Sequence, residues 1–173
     1  MAKKRTYEEW LAQVKEDPVN LNDVPNKLLT EELCLAAVQK EGAMLGWIPE
    51  SFKTGEICLT AIKQKLSEKD CGDKEIVVLL GKTPVHLRTP EMCRITVEKT
   101  GGCLQFVPED LRTLEICLLA FQSESYIGNE LSYVPEKLRT SEICIAAVKN
   151  SADNFEFVPE SLKEQVKKAA GIK

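Results

Sequence analysis

Apolar positions along this chain gather into short blocks set between longer polar stretches. Leu33-Cys34-Leu35-Ala36-Ala37-Val38 and Ile143-Cys144-Ile145-Ala146-Ala147-Val148 are the clearest two, and shorter versions surround Cys58, Cys93 and Cys117. Each block follows a Thr and a Glu, the polar start expected of a helix N-terminus. The block itself is apolar almost all round, which marks a helix buried on several sides. A helix this short is not stable alone in water, so its neighbours must supply the stability.

The blocks recur. Prolines 25, 49, 84, 108, 135 and 159 lie 24, 35, 24, 27 and 24 residues apart, a period of 24 with an insertion of 11 before Pro84 and one of 3 before Pro135. Thr30, Thr54, Thr89, Thr113 and Thr140 repeat the series, and Thr6 extends it upstream. Glu8, Leu11, Ala12 and Val14 match Glu32, Leu35, Ala36 and Val38, so the N-terminus reads as a half repeat with Trp10 in the Cys position. A period of this length marks stacked repeats.

Each unit predicts two helices. The proline suits a first helical position, and Glu50, Glu109, Glu136 and Glu160 follow it where negative charge favours the helix dipole. Leu28, Phe52, Leu87, Leu111, Leu138 and Leu162 give each short helix one apolar residue. The Thr then caps the second helix, and Pro90 after Thr89 supports that reading. Trp47, Phe106, Tyr133 and Phe157, two before their prolines, are expected to anchor the incoming loop, and Gly42, Gly101 and Gly102 to end helices. The insertion at 64–82 predicts a longer helix, a turn at Gly72 and a short extra helix. The expected fold is all-α: a right-handed α-solenoid of about five two-helix repeats of 24 residues with capping helices at both ends. It forms one domain over 1–173, with a cap or half repeat at 1–23, repeats at 24–158 and a C-terminal cap helix at 159–173.

Composition narrows the partners. The net charge of −4 argues against nucleic acid and favours a basic protein partner. No apolar run approaches 18 residues, and the basic start lacks the apolar segment of a secretory signal. Seven cysteines, five of them at one repeat position, fit free thiols in a reducing cytoplasm.

No catalytic machinery stands out, and no cofactor or metal is expected. Cys34, Cys58, Cys93, Cys117 and Cys144 read as small packing residues, since no pair has a metal-site spacing. The single histidine, His86, with Cys71 or Cys103, is the only basis for a metal or thiol enzyme, and nothing supplies an orienting third group. A basic row (Lys53, Arg88, Arg112, Arg139, Lys163) and an acidic row (Glu32, Glu56, Glu91, Glu115, Glu142) are expected to neutralise each other as a surface network. The sharper alternative leaves one row unpaired beside a ligand groove. Partner contacts are expected where the pattern breaks: Glu68, Asp70 and Asp73 in the insertion, His86 and Arg94 in the divergent unit, and Glu124, Tyr126 and Glu130 in the variable loop.

The recurring Val-Pro-Glu-x-Leu-(Lys/Arg)-Thr-x-Glu-(Ile/Leu)-Cys pattern, over roughly residues 24–163, resembles a bacterial family of short tandem helical repeats known only as a domain of unknown function. The resemblance implies an all-helical repeat protein, mostly bacterial, with some members secreted as effectors and no agreed activity. Val85, Arg94 and Thr96 depart from its pattern. The expected function is therefore non-enzymatic protein binding, as a monomer or within a hetero-complex and away from membranes. Its concrete form is a cytoplasmic immunity or inhibitor protein that neutralises a basic toxin or enzyme. The alternative is an effector or scaffold acting on host proteins.

Overall fold

In a computed structural model, residues 5–123, 125 and 128–172 are described, and the chain divides into two compact units, Met1–Leu87 and Arg88–Lys173. The first holds α1 (Tyr7–Glu16), α2 (Glu31–Lys40), α3 (Gly55–Leu66) and α4 (Asp73–Lys82). The second holds α5 (Pro90–Lys99), α6 (Leu114–Gln122), α7 (Ser141–Asn150) and α8 (Lys163–Ala170). The described residues contain short 3-10 segments between these helices and no strand.

Six of the helices start on the recurrent threonine. Thr6, Thr30, Thr54, Thr89, Thr113 and Thr140 have extended backbones, and each Oγ1 accepts the backbone N–H three residues on. That bond satisfies one of the donors a helix start leaves open. At Thr6 the bond is reciprocated, because the Glu9 carboxylate accepts the Thr6 N–H at 2.9 Å. Beyond each cap the apolar block is enclosed: Cys34, Cys58, Cys93, Cys117 and Cys144 are wholly buried, as are Ala37, Ala61, Ala120 and Ala147 three residues later. Small side chains at these positions let consecutive helices approach closely. In the first unit α1 packs on α2, α2 on α3 and α3 on α4; in the second, α5 packs on α6, α6 on α7 and α7 on α8.

The first predicted helix of each unit is shorter than the proline pattern suggests. It is a single 3-10 turn: Asn26–Leu28, Glu50–Phe52, Val85–Leu87, Glu109–Leu111, Glu136–Leu138 and Glu160–Leu162. The proline caps the turn from outside, with ψ between 135° and 145° wherever its cap geometry is defined, and its carbonyl accepts the N–H three residues on. Thr must itself be extended to cap the next helix, so only three residues remain for the turn. That is too few to propagate α-helical i→i−4 bonds.

A third element, which the repeat pattern does not predict, follows α1, α2, α5, α6 and α7. It is another 3-10 segment: Pro18–Asp23, Gly42–Gly46, Gly101–Phe106, Glu130–Tyr133 and Ala152–Phe157. The 18–23 segment packs on both α1 and α2, the 42–46 segment on α2 and α3, and the 101–106 segment on α5 and α6. In the second unit these segments also contact one another, 101–106 against 130–133 and 130–133 against 152–157, so a 3-10 layer runs beside the α-helical one. Buried Asn154 ties the layers, its Oδ1 accepting the Leu131 N–H and its Nδ2 donating to the Ala147 carbonyl.

This second layer corrects two expectations. Gly42 and Gly101 do not end helices through left-handed backbone; among the described residues the glycines with positive φ are Gly128 and Gly171. They begin 3-10 segments pressed against the next helix, where a Cβ would sit 2.2 Å from the Ala61 carbonyl oxygen and 2.3 Å from that of Ala120. The anchors of the incoming chain are Val24, Ile48, Val107, Val134 and Val158, all buried, rather than the aromatic residue before each. Phe106, Tyr133 and Phe157 are half-buried, and Trp47 is 68% exposed.

The insertion forms as expected, with a twelve-residue α3 and Gly72 directly before α4. The extra helix is longer than anticipated, at ten residues, and it stands where other repeats place the second 3-10 segment. The C-terminal helix α8 buries only Val166 fully and ends at Gly171 with φ 72°.

Candidate functional site

Four members of the basic row turn inward. Lys53 Nζ donates to the Lys82 carbonyl (3.0 Å), and Arg88 Nη1 to that of Phe106 (2.5 Å). Arg112 Nη1 donates to Tyr133 O (2.7 Å) and Arg139 Nη1 to Phe157 O (3.1 Å). All four acceptors hold the same repeat position, two before the next proline. The arginines also brace their own repeat, with Arg112 Nε on Val107 O and Arg139 Nε on Val134 O. The guanidinium fork suits this task, and the ends of 3-10 segments present carbonyls that no intrahelical donor reaches. Each of these four side chains thus staples its own turn to the segment that follows, Lys53 also pairing with Glu50 at 2.7 Å, whereas Lys163 pairs with Glu160 at 2.7 Å. In the repeats of Arg112 and Arg139 this backbone clamp takes the place of the expected pairing with Glu115 and Glu142. In the repeat that begins at Pro25, Leu29 stands where the others have Lys or Arg, so Trp47 lacks the clamp.

The acidic row stays at the surface. Glu32, Glu56, Glu91, Glu115 and Glu142 are all exposed in the first turns of their helices. Glu32 accepts the Tyr7 hydroxyl at 2.6 Å, a bond that raises the Tyr7 pKa by favouring its protonated form. In the second unit, Glu91 and Glu115 border a groove of about 320 Å³ whose lining includes Pro90, Leu111 and Ile116. Arg94, an expected contact residue, lines the same groove and holds Glu98 at 3.0 Å. Thr96, the other departure on α5, is wholly buried and donates its hydroxyl to the Met92 and Cys93 carbonyls.

The insertion shapes a second cleft, of about 280 Å³, between α4 and the 42–46 segment. Ala43, Val78 and Leu79 supply its apolar surface; Lys65, Lys74, Glu75 and Lys82 supply its charges. Lys65 bridges Glu68 (2.6 Å) and Glu75 (2.9 Å), which raises its pKa well above the ordinary lysine value. The Lys65 bond and the Gly72 N–H in turn hold the Glu75 carboxyl below its usual range. Of the expected insertion contacts, Glu68 is thus engaged internally, Asp70 is exposed in the loop, and Asp73 is half-buried as the first residue of α4. Lys74 and Lys82, which the sequence reading passed over, are exposed on the outer face of α4.

The remaining expected residues separate. His86 is exposed in the 85–87 turn. Glu130 is not a surface contact: it is 1% exposed, and its carboxylate accepts the Gly128 N–H at 3.0 Å, holding the loop from within. Glu124 and Tyr126 lie outside the described residues. Burial pushes the thiols of Cys34, Cys93 and Cys117 up to about 11, and it raises those of Cys58 and Cys144. They are protonated near neutral pH, without the thiolate that nucleophilic or metal chemistry requires. Cys103 is fully enclosed and Cys71 half-exposed. Among the described residues no group of three His, Cys, Asp or Glu side chains is arranged to hold a metal ion.

Residues 115–163 match the family model described as Domain of unknown function (DUF4116), a stretch that contains α7 and nearly all of α6. No curated protein and no solved structure matches the chain.

Proposed function

We propose that this chain is a non-enzymatic protein-binding helical-repeat protein that engages a basic partner through the exposed carboxylates Glu115 and Glu142 of its second unit. One observation carries the reading: Arg112 and Arg139, three residues before Glu115 and Glu142, are committed to backbone carbonyls. Arg112 and Arg139 spend their donors on the chain itself, while Glu115 and Glu142, three residues on, form no ion pair among the described residues. Glu115 beside a partly apolar groove suits an apolar side chain flanked by lysine or arginine, and the exposed carboxylates of Glu115 and Glu142 favour rapid encounter with a basic surface. The finer architectural reading, an α-solenoid built from these repeats, rests on the consecutive stacking of helices within each unit. The biological form we favour is a cytoplasmic bacterial immunity or inhibitor protein directed at a basic toxin or enzyme.

The test compares affinity capture by the wild-type chain and by E115K/E142K, both confirmed as folded, from a lysate of the native host at low and moderate salt. The reading predicts a discrete basic protein that the wild type retains, that the variant loses and that salt releases. Identical capture by both proteins would refute the acidic row as the contact surface. A product of the neighbouring gene among the captured proteins would identify the inhibitor role.

A further inference from the structure

We propose that the cleft between α4 and the 42–46 segment is a second docking surface, for an acidic peptide segment of another protein that seats an apolar side chain between two carboxylates. This proposal does not rest on the basic-partner reading, because it concerns a different surface of opposite sign.

Lys74, Val78 and Lys82 stand at i, i+4 and i+8 along the outer face of α4 and line the cleft together. At 1.5 Å per residue the two lysines are about 12 Å apart along the helix, with the valine between them. Val78 is 58% exposed, whereas Ile76 and Leu80 of the same helix are wholly buried. The third lysine of the lining, Lys65, is taken up by Glu68 and Glu75. Lys74 and Lys82 have no carboxylate within ion-pair distance among the described residues. The lining therefore sets three lysines against one glutamate in a chain whose net charge is −4.

The 24-residue period does not account for this face, because α4 belongs to the one long insertion. The cleft is small for a cofactor, just below the roughly 300–1,000 Å³ of ligand pockets, and suits one or two apolar side chains. Charge complementarity then selects an occupant with carboxylates on both sides of that anchor. Such carboxylates would be about four residues apart if extended, or eight if helical. The binding mode is an apolar anchor in a groove with a polar rim.

The probe is a displayed library of random 12-residue peptides, selected on the folded wild-type protein and counter-selected on K74E/K82E. The leading tryptophan-free peptide is then synthesised and titrated against Trp47 emission, since Trp47 adjoins the lining residue Gly46 while Trp10 is buried. The expected result is enrichment of Asp or Glu on both sides of an aliphatic or aromatic residue. The peptide should bind at least tenfold more weakly to K74E/K82E and equally well to E115K/E142K. Three results would overturn the proposal: no enriched peptide, enriched peptides without flanking acids, or affinities that K74E/K82E leaves unchanged. Failed selection together with lysine-dependent sedimentation on phosphatidylglycerol vesicles would assign the two lysines to a lipid surface and overturn it equally.

Discussion

Replacing Gly101 with alanine tests the close packing of the 3-10 layer, because two effects of opposite sign compete. The backbone of Gly101 lies outside the left-handed region, so alanine adopts it without torsional strain. On chain entropy alone, Gly→Ala at such a site stabilises by about 0.4–1 kcal/mol. The added Cβ, however, would lie 2.3 Å from the Ala120 carbonyl oxygen and 3.2 Å from its carbon, against an ordinary contact that begins at 3.4 Å. A gap of about 1 Å must then open between the 101–106 segment and α6, and the obstructing atoms are backbone that no rotamer change can move. Overpacking of this kind costs about 1–3 kcal/mol, and here it would also strain the Gly101 N–H bond to the Ser125 carbonyl. The expected net effect is a loss of about 2 kcal/mol, or roughly 1 M in the urea midpoint for a slope near 2 kcal/mol/M. Gly55→Ala is the control, since nothing lies within 4 Å of its Cβ position, and it should be neutral or stabilising. Urea unfolding followed by far-ultraviolet circular dichroism reads both. A Gly101→Ala protein as stable as the wild type would refute the close-approach account.

Arg139→Met should destabilise the second unit by about 2 kcal/mol, because it strips the carbonyls of Ser132, Val134 and Phe157 of their guanidinium donors. Arg139→Lys should recover part of the loss, and equal urea midpoints for Met and Arg would remove the clamp. Thiol labelling with an aromatic disulfide reagent should modify Cys71 rapidly in the native protein and all seven cysteines in denaturant; fast labelling of Cys117 would contradict its burial. Stability should also fall above about pH 9. The unfolded thiols ionise near their ordinary value of 9.0, while Cys34, Cys93 and Cys117 hold their protons to about 11, so the folded state binds more protons in that window. By pH 10 each of the three costs about 1 kcal/mol, and C34A/C93A/C117A should flatten the decline. An unchanged slope in that variant would place the alkaline loss elsewhere.

What could be read from the chain alone follows the range of the interactions involved. A threonine cap is a bond between residues three apart, so Thr30, Thr54, Thr89, Thr113 and Thr140 announced their helices without reference to neighbours. The buried cysteine row and the helix–turn–helix of the insertion were legible for the same reason, since periodicity and a local turn at Gly72 suffice. The candidate site was less legible. Glu68 and Arg94 do adjoin clefts, but Glu130 proved internal, and Lys74 and Lys82 look in sequence like any solvated pair. Their i, i+8 spacing around Val78 was the available signal.

Other features exist only once one repeat meets the next. Gly42 and Gly101 are required by carbonyls 19 residues further along the chain, and the arginines find their acceptors 18 or 21 residues away. A repeat's own composition cannot reveal whether its lysines and arginines face the acidic row or the backbone, because both partners are chemically satisfactory. Packing decided it: the 3-10 segment at the far end of the same repeat brings unpaired carbonyls within reach of the guanidinium, and Glu115 and Glu142 are left exposed.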